Sequence, residues 1–483
     1  MEFISDLPDS ILSHILSFLP TKDAMKTSFL SKRWESLWTS VPLIDLDERL
    51  FIRRRLELKH NLYGVNFQEQ KKFADFVERF IAFHGSLNVQ ELRLRFDIGR
   101  YLKFSSRAER WVRTVMTSDA KIIDIDFSGK TLDWSDLDKN MYILPPCGFP
   151  SRSLTILRLR FCEFIYLQNT SFVSLQTLVL TAVKVSNSSV NALICSSPCL
   201  EKLHLECCYV PVYFLVEAPV SHLKCMVVNN CVTPGRKFIE HFSLSIPSLQ
   251  SFKFKGIIND FSVKNLWNLI EVEIEEQNVY NGFQNHEYRM VCKLFNELRH
   301  VQFLTLTNWF LEVFDDEQQS DDDLVINLNN LKHLNLKMWL ASVELWGLAT
   351  LLSLSCNLET LSIDIGEPGD TDASDMLVMS ILEEDTFWEE LTMPFNFFLH
   401  LKKVEIKGFE GRGNEIEFVK FLLKNSGVLE KMFISNADLT ARYGKYMNQG
   451  YKEILEKLQA QQNSSQNFLV LPKASPCVEI VLS

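Results

Sequence analysis

The sequence predicts an α/β fold, with three N-terminal helices followed by a solenoid whose short parallel strands form a curved sheet with helices on its convex side. Three observations support this prediction. A short apolar pattern recurs along most of the chain, helical spacing fills several intervals between its copies, and the first forty residues hold more apolar side chains than they can bury among themselves. With 483 residues the chain also exceeds the usual size of one compact core, which fits an elongated array.

The N-terminal segment is predicted to form three short helices. Apolar residues recur every three or four positions through the first one, whose first turn contains Pro8 and Asp9, both favourable at a helix start. Pro20 separates it from a second helix that ends near Phe29, and Ser31 can cap the third. This segment has two interpretations: it caps the first repeat, or it docks another protein.

The recurring pattern is Leu-x-x-Leu-x-Leu, with other apolar residues allowed at each position. The last two apolar residues of a copy lie two apart, so they share one face of a short strand and are buried only when neighbouring units stack. Copies start mostly 20 to 33 residues apart, which matches leucine-rich repeats lengthened by insertions. The copies are Val89/Leu92/Leu94, Ile123/Ile125/Phe127, Leu154/Leu157/Leu159, Leu175/Leu178/Leu180, Leu200/Leu203/Leu205, Leu223/Met226/Val228, Leu249/Phe252/Phe254, Leu269/Val272/Ile274, Leu298/Val301/Phe303, Leu331/Leu334/Leu336, Leu358/Leu361/Ile363, Leu401/Val404/Ile406 and Leu429/Met432/Ile434.

Segments between the copies show the spacing of amphipathic helices. This holds for residues 73–81, 111–116 and 189–195, and Pro198 ends the last of these before the next strand. Two acidic or Gly/Pro-punctuated insertions, 315–323 and 367–375, are predicted to be solvated loops.

Composition narrows the function classes. The net charge of -11 and the pI near 5.5 disfavour nucleic acid and anionic membranes as partners, because an acidic protein repels both. No stretch reaches the roughly 18 apolar residues of a membrane span, and the acidic start is unlike a secretory leader. Eleven cysteines without framework spacing fit a reducing compartment, so we expect the protein in the nucleus, the cytoplasm or both.

One cluster of cysteines and a histidine is a candidate zinc site. It contains Cys195, Cys199, His204, Cys207 and Cys208, but two of the cysteines are adjacent and the paired Cys-x-x-Cys arrangement is missing. Packed thiols are the favoured interpretation, and we expect no metal.

No motif indicates catalysis or a bound cofactor. The glycines at 408, 411 and 413 match neither of the two nucleotide-binding patterns, Gly-x-Gly-x-x-Gly and Gly-x-x-x-x-Gly-Lys-Ser/Thr. A turn explains Gly408, Gly411 and Gly413 better. The chain also lacks His-Glu-x-x-His and Gly-x-Ser-x-Gly, and its ten histidines are dispersed. We therefore expect a protein that is not an enzyme, without catalytic residues or cofactors.

Residues 4–42, ISDLPDSILSHILSFLPTKDAMKTSFLSKRWESLWTSVP, resemble the F-box of plant F-box proteins. The resemblance covers the leading Leu-Pro, the Ile-Leu-x-x-Ile-Leu-x-Phe-Leu-Pro run and the Leu-Ser-Lys-Arg-Trp segment. It implies that this module binds a Skp-type adaptor, and through it a cullin/RING ubiquitin ligase. The residues it assigns to the adaptor site are Leu7, Pro8, Ile11, Leu12, Ile15, Leu16, Leu30 and Trp34, the last of which, with Trp38, would pack the third helix.

A second resemblance lies near the C-terminus. Residues 401–411, LKKVEIKGFEG, with 415–423 and 429–432, resemble the FBD region that follows the repeats in many plant F-box proteins. By itself this stretch predicts a strand, a glycine turn, a helix and another strand. The tail, 469–482, resembles the ends of the same proteins and predicts a last strand that covers the open edge of the sheet.

The chain therefore resembles a plant F-box/FBD/leucine-rich-repeat protein. The expected parts are an F-box at 1–45, linking helices that cap the solenoid at 46–88, repeats at 89–385, the FBD region at 386–440, and a C-terminal helix and closing strand at 441–483. The resemblance implies a substrate-recognition subunit of a Skp–cullin–F-box ubiquitin ligase, which would bind an unknown target protein through the repeats. Two alternatives stay open: a receptor regulated by a small ligand, and an interaction scaffold outside proteolysis.

Strand positions that alternate with the buried leucines suggest where a target binds. Near the start of the array they include Arg93, Arg95, Arg158 and Arg160, whereas glutamates and lysines occupy the same positions further along. These side chains have two interpretations: ordinary solvated strand residues, or a basic patch for an acidic or phosphorylated target segment, which arginine binds bidentately.

Overall fold

The structure is a computed structural model, and it describes residues 4, 7–51, 67–83, 89–98, 104–128, 141–145, 152–166, 172–235, 238–276, 285–313, 327–366, 387–391, 398–443, 456, 458–463 and 468–483. The chain divides into two compact units, Met1–Ser248 and Leu249–Ser483. Among the described residues, no helix combines the length and apolar character that crossing a membrane requires.

The chain begins with the three short helices that the sequence predicts. They are α1 (Asp9–Leu16), α2 (Thr21–Lys26) and α3 (Trp34–Leu37), with 3-10 turns at Thr27–Phe29 and Trp38–Ser40. A proline immediately precedes each of the first two helices, where its missing N–H leaves no helical hydrogen bond unmade.

The rest of the first unit is built on parallel strands. Its main sheet has seven strands in the order β1-β2-β3-β5-β7-β8-β10, and the short strands β4/β6 and β9/β11 pair separately. The strands are β1 (Leu43–Asp47), β2 (Glu91–Arg95), β3 (Ile122–Asp126), β4 (Tyr142–Ile143), β5 (Ile156–Arg160), β6 (Cys162–Glu163), β7 (Thr177–Thr181), β8 (Lys202–Glu206), β9 (Tyr213–Glu217), β10 (Cys225–Asn229) and β11 (His241–Ser245). The helices are α4 (Glu48–Phe51), α5 (Phe67–Phe83), α6 (Ser105–Met116) and α7 (Asn187–Ser196).

The second unit repeats this construction. Its main sheet has eight parallel strands in the order β12-β14-β15-β16-β17-β18-β19-β20. The strands are β12 (Ser251–Gly256), β13 (Phe261–Val263), β14 (Glu271–Glu276), β15 (Phe303–Thr307), β16 (His333–Met338), β17 (Thr360–Ile365), β18 (Lys403–Phe409), β19 (Lys431–Asn436) and β20 (Glu479–Leu482). The helices are α8 (Asn285–Glu297), α9 (Trp309–Glu312), α10 (Ser342–Ser353), α11 (Phe387–Glu390), α12 (Gly413–Asn425) and α13 (Leu439–Tyr443).

Alternation of buried and half-exposed residues along the strands produces the core. Leu92 and Leu94 of β2 are fully buried, whereas Arg93 between them is half-exposed. The apolar positions of the repeat thus face inward together, and the α/β class predicted from them is confirmed. Strand β1 was not predicted, and it lies across the expected boundary of the F-box at residue 45.

One predicted strand has the wrong register. The copy Leu298/Val301/Phe303 places Phe303 inward, but Phe303 is 42% exposed and Leu304 and Leu306 are buried in its place. A shift of one residue moves every side chain of a strand to the other face, so the pattern that folds here starts at Val301. The Phe303 ring stacks on His333 of the adjacent strand, with ring centroids 4.4 Å apart.

Four strands of the first unit are followed directly by a residue with left-handed backbone. Phe161, Ala182, Cys207 and Asn230 directly follow β5, β7, β8 and β10, and their φ angles lie between 49° and 60°. A non-glycine residue in this region carries roughly 1–2 kcal/mol of strain. Thiols support the turn that follows: Cys208 donates to the carbonyl of Leu180 (3.2 Å) and Cys231 to that of Leu205 (3.7 Å).

The predicted strand, turn, helix and strand of the C-terminal region are present. Gly408 and Gly411 after the core of β18 have φ of 71° and 84°, which glycine adopts freely. The carboxylate of Glu415 in the first turn of α12 accepts from the backbone N–H groups of Glu410 and Gly411, both at 2.8 Å. The predicted closing strand pairs in parallel with β19, so it covers that edge of the second unit's sheet.

Candidate functional site

The N-terminal helices have a small core of their own. Leu12 and Leu16 of α1 are 0% and 1% exposed. Arg33, just before α3, fastens the two helices together, because its guanidinium donates to Asp9 Oδ1 at 2.6 and 2.9 Å and to the carbonyl of Leu7 at 2.5 Å. The helices therefore form a defined module.

This module is attached to the first strand and helices of the first unit. The backbone N–H of Asp45 in β1 donates to Thr21 Oγ1 at 2.7 Å. The Trp38 ring lies 5.8 Å from that of Phe80 in α5, and Lys22 Nζ donates to a carbonyl at the end of α4. These contacts hold the module against β1, α4 and α5.

Six large apolar side chains of this N-terminal region are exposed, and we call them the exposed apolar set. Their exposed fractions range from 41% to 89%. Large exposed apolar groups concentrated in one small module indicate an interaction surface. The members are Ile4, Ile11, Phe18, Leu19, Phe29 and Leu30.

The eight residues assigned to adaptor binding divide into three groups. Ile11, Leu30 and Pro8 are exposed, and Leu7 and Ile15 are half-buried. The other three, Leu12, Leu16 and Trp34, are at most 4% exposed and form the core of the module. Adaptor contact by the eight stays a prediction, and these last three are positioned to support the surface from within.

Four members of the exposed apolar set were outside that assignment: Ile4, Phe18, Leu19 and Phe29. Phe18 and Leu19 belong to the recognised motif and lie just before the helix-breaking Pro20, and Phe29 directly precedes Leu30. Two consecutive apolar residues at a helix end cannot both point inward. This signal in the sequence identifies Phe18 and Leu19 as surface candidates.

The predicted arginines lie on one face of the first unit's sheet, in two rows that cross the strands. Strand register places an aspartate of β1 or β3 beside each arginine of β2 and β5. The first row reads Asp45, Arg93, Asp124, Arg158, Val179, His204 and Val227, and the second reads Asp47, Arg95, Asp126, Arg160, Thr181, Glu206 and Asn229.

Ion pairs neutralise the β2 end of these rows. Arg95 lies 3.4 Å from Asp47 and 3.7 Å from Asp124, while Arg93 pairs with Glu91 of its own strand at 2.7 Å. Burial lowers the pKa of the Arg95 guanidinium, but the charges of Asp124 and Asp47 outweigh it and raise the pKa above its usual value. Arg93 and Arg95 are therefore not free to form an unopposed basic patch.

The aspartates were missed because β1 was not recognised as a strand and β3 was identified only from its apolar residues. Asp-Leu-Asp at 45–47 and Asp-Ile-Asp at 124–126 repeat the spacing of Arg-Leu-Arg at 93–95 and 158–160. Burial raises the pKa of the Asp45 carboxyl, and the charge of Asp47 adds to this shift. Target binding by the four arginines stays a prediction.

The corresponding face of the second unit is also charge-paired. Lys253 and Lys255 of β12 lie 2.9 and 2.7 Å from Glu273 and Glu275 of β14. Lys337 of β16 contacts both glutamates across the threonines of β15. The lysine and glutamate runs therefore neutralise each other instead of presenting separate patches.

The cysteine and histidine cluster is spread over several environments. Cys195 and Cys199 are exposed, Cys207 is half-buried and Cys208 is buried. Within the described ranges no group of three or more histidine, cysteine or acidic side chains is arranged to hold a metal ion. Burial, followed by the charge of Lys202, lowers the pKa of His204, so its imidazole is mostly neutral at pH 7.

Two family models match the chain. The F-box domain model matches residues 4–46, which include the module and the exposed apolar set. The model described as the LRR domain of At1g61320/AtMIF1 matches residues 81–466, which is more than half of the chain.

Relatives from Arabidopsis thaliana are similar over nearly the whole chain. FBD-associated F-box protein At1g66310 is 25% identical over 91% of this chain and 90% of its own length. F-box/LRR-repeat protein At3g58930 is 26% identical over 90% of each. F-box/FBD/LRR-repeat protein At1g13780 is 25% identical over 89% of this chain and 90% of its own length.

The resemblance identified from the N-terminal motif, the repeats and the C-terminal region is thus confirmed by both models and by these relatives. The chain belongs to the plant F-box proteins with leucine-rich repeats.

Proposed function

We propose that this protein is the substrate-recognition subunit of a Skp–cullin–F-box ubiquitin ligase, without catalytic activity of its own. The F-box would bind a Skp-type adaptor, and the repeats would hold a target protein for ubiquitination. The F-box and leucine-rich-repeat domains support a receptor role in general. The observation that carries the proposal further is the exposed apolar set within the F-box module.

The exposed apolar area of the set supports the proposed adaptor binding energetically. Complete burial of one leucine or isoleucine stabilises a complex by about 1.5–3 kcal/mol. Ile11 and Leu30 are 45% and 68% exposed, so covering the two together provides about 2–3 kcal/mol, or roughly a 30- to 150-fold change in affinity. Neither residue belongs to the core of the module, so changing them separates binding from folding.

The test is co-purification of the full chain with a plant Skp-type adaptor after co-expression. Wild type should bind the adaptor, and the complex should then recover a cullin. The double variant Ile11→Asp with Leu30→Asp should lose the adaptor, because two apolar contacts are replaced by carboxylates that would have to be desolvated.

A matched control is available in the same unit. Val173 and Val220 are 49% and 76% exposed, close to the values of the two test residues, and both lie outside the F-box match. Val173→Asp with Val220→Asp should leave adaptor binding intact. Equal binding by the test variant and wild type, with unchanged melting temperatures, would show that this surface is not the adaptor site.

A further inference from the structure

Two arginines on the polar sheet face of the first unit differ from the others. Arg158 and Arg160 of β5 are half-buried, and no carboxylate among the described residues lies within ion-pair distance of either. Arg93, Arg95 and Arg49 each have an acidic partner within 3.4 Å. The charge-paired part of the face therefore ends at β5.

The aspartates beside β5 are already engaged elsewhere. Asp126 accepts from Arg49 Nη2 at 3.2 Å and from the backbone N–H of Ser128 at 2.8 Å. Asp124 has Arg95 as its ion-pair partner. The Nε–H of Arg160 is buried without an acceptor in the described part of the chain. A buried donor that lacks an acceptor is destabilising, and an incoming anion would remove that penalty.

The row next to Arg158 is only weakly polar, whereas the row of Arg160 continues through the polar residues Thr181, Glu206 and Asn229. The row of Arg158 continues through Val179, His204 and Val227, all half-buried, on the next three strands. The outward positions of those strands carry two charged side chains, Lys202 and Glu206, and their opposite charges give no net charge. Moving along the face from β5 to β10, a cationic pair is thus followed by an apolar strip.

We propose that Arg158 and Arg160 bind an acidic side chain of the target, carboxylate or phosphate, and that the strip Val179–His204–Val227 receives an apolar side chain of the same extended segment. This inference rests on the proposed function, since it specifies what the repeats recognise. The occupant is a protein segment with a single acidic group, because the neighbouring aspartates of β1 and β3 repel a polyanion such as nucleic acid.

Strand spacing determines the separation of the two features. Adjacent strands lie about 4.8 Å apart, so Val227 is about 14 Å from Arg158 along the row, and an extended segment covers that distance in about four residues. Arg158 and Arg160 are about 7 Å apart along their strand, close enough for two guanidinium groups to converge on one phosphate or carboxylate. The predicted motif is an acidic residue and an apolar residue three or four positions apart.

The probes are immobilised pools of synthetic nine-residue peptides with a fixed central residue and mixed residues elsewhere. The central residue is glutamate, phosphoserine, glutamine or lysine, and the bound full-length protein is measured. We expect the glutamate or phosphoserine pool to bind about tenfold more protein than the glutamine pool, and the comparison of the two acidic pools distinguishes carboxylate from phosphate. Binding should weaken as NaCl is raised. Sequencing of bound peptides should show apolar enrichment three or four positions from the centre, on one side of it.

Two variants test the assignment to these arginines. Arg158→Gln with Arg160→Gln should reduce binding of the acidic pool to the level of the glutamine pool. Arg158→Lys with Arg160→Lys keeps the charge and should give intermediate binding, because lysine cannot bind bidentately. The control Arg107→Gln with Arg110→Gln makes the same charge change on α6, where both arginines face Glu78, and should bind like wild type.

Equal binding of all four pools, or acidic selection that survives the glutamine double variant, would overturn the inference. Stronger capture of a polyanionic oligonucleotide than of any peptide pool would overturn it as well. Adaptor co-purification of the same preparations separates this outcome from failure of the proposed function. If the wild-type protein binds the adaptor but does not prefer the acidic peptide pools, only the peptide site is rejected. If the wild-type protein does not bind the adaptor at all, the ligase role is rejected.

Discussion

The buried charges at the C-terminal end of the second unit give the strongest prediction about stability. Glu410 is fully buried and forms ion pairs with Arg412, whose Nη2 lies 2.5 Å from it, and with Arg442. Arg412 is 4% exposed and also faces Glu415, with Nε 3.8 Å from Oε1. Arg412 thus faces two buried carboxylates, one of which, Glu410, is also paired with Arg442.

Arg412→Met removes that guanidinium and keeps most of the side-chain volume. Removing one partner of a buried ion pair is destabilising by about 3–5 kcal/mol, and we expect the lower end because Arg442 still neutralises Glu410. For a unit of this size each kcal/mol lowers the melting temperature by about 2–4 °C, so the expected decrease is about 6–12 °C.

Calorimetry of the full chain at two pH values is the assay. Burial raises the pKa of Glu415 to about 7, and the charge of Arg412 opposes this shift, so the variant should have a still higher pKa there. A carboxyl with a raised pKa in the folded state stabilises most at low pH and loses that contribution as pH rises. The stability deficit of Arg412→Met should therefore be smaller at pH 5 than at pH 8.

The exposed pair Lys420–Glu417 on α12 provides the control. Its Nζ and Oε1 are 2.5 Å apart, but the lysine side chain is 44% exposed, so Lys420→Met should change stability by less than about 1 kcal/mol. If the two variants melted at the same temperature, or if the deficit of Arg412→Met did not depend on pH, the buried carboxylates would not require Arg412 and the reasoning would be refuted.

Two further predictions concern the second unit. Burial raises the pKa of Glu276 to about 8, so the stability of the folded protein should decrease between about pH 4.5 and 8. Glu276→Gln can still accept from the N–H of Ile258, and in urea titrations it should flatten this slope by up to about 1.4 kcal/mol per pH unit. An unchanged slope would contradict this prediction. A Cβ added at Gly347 would lie 2.0 Å from the carbonyl oxygen of Leu311, so Gly347→Ala should destabilise the protein by about 1–3 kcal/mol. The control Gly427→Ala adds a Cβ that meets nothing within 4 Å and should leave stability unchanged. Equal unfolding midpoints of the two variants would show that the close approach of α9 and α10 is not required.

The repeat strands were predictable because their signal is local. Leu203 and Leu205 are separated by the two-residue period of a strand, and the structure buries both of them together with Leu200. The same reasoning failed at Phe303, where apolar residues occupy both faces and the neighbouring strand selects the register. Strand β1 was also missed, although Val41, Ile44 and Leu46 repeat the same apolar spacing and all three are buried.

The sequence motif predicted which segment contains the candidate adaptor surface, but not which of its side chains are exposed. Ile11 and Leu12 are adjacent and chemically similar, yet one is 45% exposed and the other is fully buried. Helical spacing places both near the apolar face of α1, and the packing of α1 against α3 and the turn at Trp38–Ser40 decides which of them is covered. The motif therefore identified the module, whereas packing selected the residues that a partner can reach.

By itself, the sequence determined the repeat architecture, the F-box and the family, since these depend on apolar residues close together in the chain and on recognisable motifs. Only the tertiary structure decided the charge environment of the arginines. Arg95 meets Asp47, which lies 48 positions away in the sequence, because β1 and β2 pair in register. Arg158 has no such partner among the described residues, although its local sequence, Arg-Leu-Arg, is the same. Counter-charges across a sheet are set by strand pairing, and strand pairing is a long-range property that a local pattern does not contain.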